Sequence, residues 1–153
     1  MAEPMRALSI QQPWASAIAY GPKRIENRSW YPPVLPGTVL AIHASKGPDW
    51  DAPDKAWTAA GLTPYRDDAP RSAWTASLAL GAVVAVAVLD DWHDGAKEPV
   101  PCSPWAARWQ YHWLLIGVQA LPEPVPCRGM LGLWRLPDEV EKLVREQLEA
   151  SNG

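Results

Sequence analysis

The sequence predicts a mainly β, α+β domain: a curled mixed sheet with short helices at its flanks and a helix at the C-terminal end. Three observations point there. Seventeen prolines among 153 residues argue against long uninterrupted helices, because proline lacks the amide donor and its ring clashes with the preceding turn. The apolar patterns run strand, helix, several strands, terminal helix, without the regular alternation of a doubly wound fold. Hydrophobic residues make up 48% of the chain, and no internal repeat or low-complexity linker divides it. A single domain over residues 1–153 is therefore expected.

The elements follow in order. Arg6 to Ile10, "RALSI", reads as a short strand. "QQPWASAIAYG" reads as a helix opening near Pro13, where proline suits a first turn, and stopping at Gly21. Trp14, Ala17 and Ile18 share one of its faces. Ile25 to Trp30 is predicted extended, with Lys23, Ile25 and Asn27 on one side and Arg24, Glu26 and Arg28 on the other. After the turn-rich "YPPVLPG", residues 38–46, "TVLAIHASK", form a strong strand pattern. "DAPDKAWTAAG" is a short helix capped by Asp51 or Asp54 and ended at Gly61. The run "LALGAVVAVAVLDDW", residues 78–92, is β-branched and almost wholly apolar, hence a strand covered on both faces. "YHWLLIGVQAL", 111–121, is a strand pair or one bent strand, and "PEPVPCRGMLGLWRL" leads through two glycines into another strand. The tail at about 138–150 is helical: Val140, Leu143, Val144 and Leu148 form its stripe, and Asp138 and the glutamates favour its N-terminal end.

Composition narrows the function classes. The chain has ten tryptophans and no phenylalanine, so indoles supply most of the large aromatic volume, each with an N–H that needs a partner when buried. A net charge of −3 does not favour general affinity for nucleic acid. The charge is uneven, however. Residues 1–50 hold five Lys/Arg against three acids, and the remainder holds nine against fourteen. A small basic patch on an acidic body suits a short anionic segment. Cys102 and Cys127 lack the number and spacing of a zinc site or disulfide framework and read as a buried, reduced pair. His93 and His112 lack metal-ligand spacing to each other or to either cysteine, so neither metal nor cofactor is assigned. No signal-peptide pattern and no run of membrane-spanning length is present, which makes a cytoplasmic protein, with no membrane partner, the expectation.

Chemistry concentrates in "GPKRIENRSW", residues 21–30, where both signs of charge and an indole gather between a helix and a proline-rich loop. Such a group is either a solvated ion-pair cluster or one face of a ligand site. In a cleft, Lys23 is a nucleophile or base once desolvation lowers its pKa, Glu26 shuttles protons, or holds Lys23 and orients a base, and Arg28 meets phosphate or a base edge with its planar fork. Trp14 lies on the apolar helical stripe and reads as core, whereas Trp30, beside Arg28, is the better surface for stacking a base. His43, Ser45 and Lys46 stand at a strand end, a common opening into a site. His43 is expected to pair with Glu26 or a backbone carbonyl, and Lys46 to contact phosphate. Arg128 and Gly129 mark either a backbone approach to a ligand or a tight turn. No Gly-x-Ser-x-Gly elbow accompanies Ser45.

These residues also carry a resemblance. "LSIQQPWASAIAYGPKRIENRSW" followed by "LAIHASK", with the later "GAVVAVAVLDDW", "YHWLL" and "LPEPVPCRGMLGLWRLP", resembles the ASCH domain, the activating-signal-cointegrator homology domain of the PUA-like superfamily, in its bacterial single-domain form. The landmarks cover roughly residues 6–137, and the combination of Gln-Pro-Trp-Ala, Gly-x-Lys-x-x-Glu-x-Arg and Gly-Leu-Trp is specific. The resemblance implies a PUA-like β-barrel with a cleft beside it, and RNA, DNA or a modified nucleoside as ligand. Through its motifs Gln12, Ser29 and Ser45 join the expected site. Some members are amidohydrolases acting on N4-acylated cytidine, others nucleic-acid binders or ribonucleases. The amidohydrolase branch has a Lys and a nearby Thr in this motif and a Glu from a later strand. Here Lys23 aligns, Glu26 stands in place of the Thr, and "GAVVAVAVL" offers no acid before Asp90 and Asp91. The reading is therefore a module binding single-stranded RNA or DNA, or a modified nucleoside, in a basic cleft. The alternative is a hydrolase, amidohydrolase or ribonuclease, that uses Lys23 and Glu26.

Overall fold

The structure, a computed structural model, describes residues 3–152. Its elements are β1 (Arg6–Ile10), α1 (Trp14–Ala19), β2 (Ile25–Arg28), β3 (Val39–Ala44), α2 (Asp54–Ala59), α3 (Ser72–Thr75), β4 (Ala82–Asp94), β5 (Tyr111–Pro126), β6 (Leu133–Arg135) and α4 (Asp138–Asn152), with a 3-10 turn at Gly95–Lys97. The six strands form one mixed sheet, a half-barrel in the order β2-β5-β4-β3-β1-β6. β1 and β3 pair parallel, and the other neighbours pair antiparallel.

Period-two alternation divides the core between the two faces of this sheet. Leu8 and Ile10 of β1, with Leu40, Ile42 and Ala44 of β3, pack with Ala15 and Ile18 of α1. Ala7 and Ala41 instead pack with Trp134, Leu136 and Val144 of α4. A helix on each side explains why β3 is buried from Leu40 to Ala44 and β4 from Ala82 through Val86, with no solvent face on either stretch. Residues between β3 and β4 build a lobe of their own, in which Trp57 packs with Trp50, Tyr65, Trp74 and Leu78. The indoles find the partners that burial demands: Trp57 donates to the Ala52 carbonyl, Trp74 to that of Thr63, Trp113 to that of Trp30 and Trp134 to Ser9 Oγ.

Several local expectations are corrected. β5 is one bent strand of 16 residues that continues through the prolines to Pro126. Three register shifts against β4 bend it, one of them spanning Gly117, whose φ of +58° suits a bulge and disfavours any side chain. Asp54 opens α2 but does not cap it; its carboxylate holds Arg66 at 2.9 Å instead. α3 was not anticipated, because four residues carry too little periodicity to register. In α4, Val140, Val144 and Leu148 make the seam while Leu143 is 49% exposed. The cysteines are free but not a buried pair, since Cys102 is exposed and Cys127 half-buried. Pairing of β4 with β5 sets His93 opposite His112, 19 positions apart in sequence. Among the described residues, no helix is long and apolar enough to cross a membrane.

Candidate functional site

β1 and β3 end side by side at Ile10 and Ala44. Two hollows lie at this end of the sheet and share Ser9. The first, about 330 Å³, is lined by Ser9, Ile10, Gln11, Trp14, Lys23, Glu26, Asn27 and Arg28. The second, about 370 Å³, is lined by Ser9, His43, Ser45, Lys46, Arg128 and Gly129, with Met130 and Leu131 at its edge. Most of the expected site residues thus fall into two neighbouring groups.

The first cleft is organised by a cation–carboxylate–cation chain. Lys23 is 1% and Glu26 6% exposed. Lys23 Nζ donates to the Ile25 carbonyl and, at 3.0 Å, to Glu26 Oε1. Arg28 donates through Nε to Glu26 Oε2 at 3.1 Å and through Nη2 to the Ser9 carbonyl at 2.7 Å. Glu26 and Arg28 share a side of β2 as strand alternation requires. Lys23 was expected on the other side; it joins them because β2 begins only at Ile25 and the preceding chain turns back. Arg24 serves the backbone, donating to the Ile18, Gly21 and Lys23 carbonyls around the end of α1.

Burial alone would raise the pKa of Glu26, but the charges of Lys23 and Arg28 and their hydrogen bonds outweigh it and hold the carboxyl below its ordinary value. Glu26 is therefore ionised at neutral pH and anchors the two cations. Among the described residues no partner takes up Arg28 Nη1, and 22% of its side chain remains open. Trp14 is fixed at its edge, donating from Nε1 to Asp49 Oδ2 at 2.9 Å. Lys23 Nζ sits 5.5 Å from its ring centroid, a cation–π distance. What Trp14 offers a ligand is ring surface.

Three expected residues lie elsewhere. Trp30 meets Trp113 edge to face at 5.0 Å and packs against the core, so Trp14 and not Trp30 lines the cleft. Gln12 is wholly buried, donating to Ser16 Oγ and the Ala79 carbonyl while accepting from the Ser16 amide. Ser29 is exposed and lines neither hollow. Sequence reasoning missed Ser9, Gln11 and Asn27. Ser9 was legible as the one small polar residue of a strand that is apolar after Arg6; Gln11 and Asn27 carried no signal beyond adjacency to the motif. Asn27 is committed to structure, donating to the Trp105 carbonyl and accepting from the Ala107 amide.

In the second hollow His43 is buried, with Nε2 2.7 Å from the Cys127 carbonyl and Nδ1 3.1 Å from Ser9 Oγ. The carbonyl can only accept, so Nε2 carries the proton and Nδ1 faces the Ser9 hydroxyl. Burial lowers the His43 pKa, and the Cys127 bond offsets this only in part, which keeps the ring neutral near pH 7. Gly129 leaves room for this ring: a Cβ there would stand 2.6 Å from His43 Cε1. Lys46 and Arg128 are exposed, and no carboxylate joins them in the lining.

Comparison with known proteins matches these features to one family. The family model described as the ASCH domain matches residues 8–122. Human activating signal cointegrator 1 is 25% identical over 145 residues, covering 95% of this chain and 24% of that protein, so the chain spans about a quarter of this relative's length. The solved structure of ASCH from Zymomonas mobilis has a TM-score of 0.55 and 14% identity, with 94% of each chain covered. A single-substitution mutant of the same protein gives 0.55 and 13%, covering 94% of this chain and 98% of that one. At such identities the likeness speaks for the fold alone.

Proposed function

The chain belongs to the ASCH domain family, and from that premise we propose that it binds a nucleobase beside Ser9, presented by a modified nucleoside or by a short single strand of RNA or DNA. The observation that carries this reading is the buried Lys23–Glu26–Arg28 chain held against Trp14 in one cleft. A base stacks on the indole, a contact worth about 1–3 kcal/mol and tolerant of base identity. Arg28, anchored through Nε and one side of its fork, turns its remaining donors to a base edge or phosphate. Gln11 closes the rim. A volume of about 330 Å³ suits a small ligand. Phosphates on one side of the base would pass into the second hollow, where Lys46 and Arg128 lie.

The hydrolase reading gains less from this geometry. The ammonium of Lys23 is held between the Ile25 carbonyl and the Glu26 carboxylate and spends its donors on them. Glu26 is likewise tied up by two cations.

Calorimetric titration with cytidine, N4-acetylcytidine and short single-stranded RNA and DNA tests the proposal. At least one of them is expected to bind, with Trp14→Ala weakening binding about 5- to 150-fold, the equivalent of the stacking energy, and Arg28→Ala weakening it too. Absence of binding by all of them, or binding unaffected by both substitutions, overturns it. Chromatography of the same mixtures reads turnover; acetate release or strand scission that Lys23→Ala abolishes would move the assignment to the hydrolase.

A further inference from the structure

Away from the cleft, four side chains from the β4–β5 connection point at one another. His93 lies near the end of β4, Glu98 follows the 3-10 turn, Cys102 sits in the loop beyond it, and His112 is paired opposite His93 on β5. One ligand atom each from His93, Glu98 and Cys102 lies within 4.8 Å of the other two. His93 Nδ1 is 2.9 Å from Glu98 Oε1, and His112 Nδ1 is 3.2 Å from Glu98 Oε2 and 3.6 Å from Cys102 Sγ. Around a tetrahedral centre with bonds of about 2.0–2.3 Å, neighbouring donor atoms stand roughly 3.3–3.8 Å apart. The three approaches given are near that scale, while only His93, Glu98 and Cys102 close mutually within 4.8 Å and His112 stands just outside that trio.

The donors are also oriented for a cation. His112 Nε2 is 2.5 Å from the Ala107 carbonyl, which must accept, so that nitrogen holds the proton. Nδ1 is left as a lone pair facing a carboxylate oxygen and a sulfur. A backbone carbonyl that fixes the outer nitrogen of an imidazole is the usual support of a metal-binding histidine. Two acceptors 3.2 Å apart repel unless positive charge lies between them, either a proton on Nδ1 or a metal ion. His93 Nδ1 and Glu98 Oε2 are buried atoms that make no hydrogen bond despite these short approaches. Buried polar atoms without hydrogen-bond partners call for an explanation, and a shared cation supplies one.

We propose that His93, Glu98 and Cys102, with His112 as the adjacent fourth donor, form a zinc site that staples the β4–β5 loop. A thiolate, two imidazoles and one carboxylate are a borderline-soft set that suits Zn²⁺ and disfavours Mg²⁺ or Ca²⁺, which take oxygen ligands. Binding breaks the Cys102 S–H bond and forms a Zn–S bond, with the proton released to solvent. The site escapes sequence spacing rules because its ligands come from two strand ends and a loop, joined by the register that sets His93 against His112. It also bears on the cleft, since the same loop is pinned to Asn27 through Trp105 and Ala107.

The test is titration of the metal-stripped full chain with Zn²⁺ and, as an optical probe, Co²⁺. The expected result is one equivalent bound, proton release in weak buffer, and a thiolate-to-cobalt charge-transfer band with the visible bands of a tetrahedral site. Cys102→Ser removes the charge-transfer band, Cys127→Ser leaves it, and His93→Gln or Glu98→Gln weakens Zn²⁺ binding at least tenfold. Cys102 is exposed, so its serine variant is expected to keep the wild-type circular dichroism, and it should lose the rise in melting temperature that Zn²⁺ gives the wild type. A second measurement, imidazole ¹⁵N shifts of the metal-stripped protein, reads the proton on His112. A doubly protonated His112 that Zn²⁺ does not displace makes this an imidazolium–carboxylate pair and overturns the proposal. So does a charge-transfer band that survives Cys102→Ser.

Discussion

At the scale of single residues, Glu26 decides what the cleft can do. Among the described residues it is the only acid in the lining of the first hollow, and it binds a cation on either side. Removing one partner of a buried ionic group leaves the other charges unmatched, a larger effect than the pair's net worth. Glu26→Gln is accordingly expected to destabilise the fold by roughly 3–5 kcal/mol, read as a lower urea midpoint. Adding Lys23→Met should recover part of the loss by removing the stranded ammonium. The same carboxylate gives the molecule an acid-sensitive step. Its folded pKa lies below the ordinary value for a glutamate, so its contribution is fully present above the unfolded value and drains away as pH falls through the folded one. The variant should lack that step in an acid titration of stability. In the sequence, Lys23, Glu26 and Arg28 were readable as a group because motif spacing reports chemistry. The exchange of roles between Trp14 and Trp30 was not, because which face of an indole stays open depends on Trp113 and Asp49, both far away in the chain.

Among the elements, α4 shows how much a pattern can say. Leu136 is wholly buried between β6 and α4, whereas Leu143, which the helical stripe also recommended, is 49% exposed. The seam follows Val140, Val144 and Leu148, successive positions four apart that meet Val125, Leu121 and Trp134 on the sheet. Leu136→Ala is expected to cost about 2–5 kcal/mol, as large-to-small core changes do, and Leu143→Ala to stay within about 0.5 kcal/mol. Chemical denaturation of the two variants separates them. Comparable losses would mean that α4 docks on a broader face than this seam. Strands were legible wherever burial is two-sided, as in "GAVVAVAVL", since apolar runs of that length have few alternatives. The single bent β5 was ambiguous because its register shifts against β4 interrupt the alternation that a sequence reader relies on. Short α3 and the start of β4 at Ala82, not Leu78, belong to the same class: they are set by the aromatic lobe around Trp57.

For the whole molecule, the balance of charge sets the kind of partner that can be held. A chain of net charge −3 repels extended polyanions, yet Arg28, Lys46 and Arg128 are spread across two hollows joined at Ser9. Three phosphates facing those three cations would give a single strand a logarithmic salt slope of about −2, at roughly −0.7 per phosphate. An uncharged nucleoside in the Trp14 cleft would show a slope near zero. Measuring affinity against salt for both ligands therefore separates the two hollows. Lys46→Ala and Arg128→Ala should each lower the strand's slope by about 0.7 while leaving nucleoside affinity unchanged, whereas Trp14→Ala should weaken both ligands without altering either slope. A strand whose slope ignores Lys46 and Arg128 would confine recognition to the first hollow. The second would then be left to His43 and Gly129 as packing, a structural corner of the sheet and not a path for the backbone.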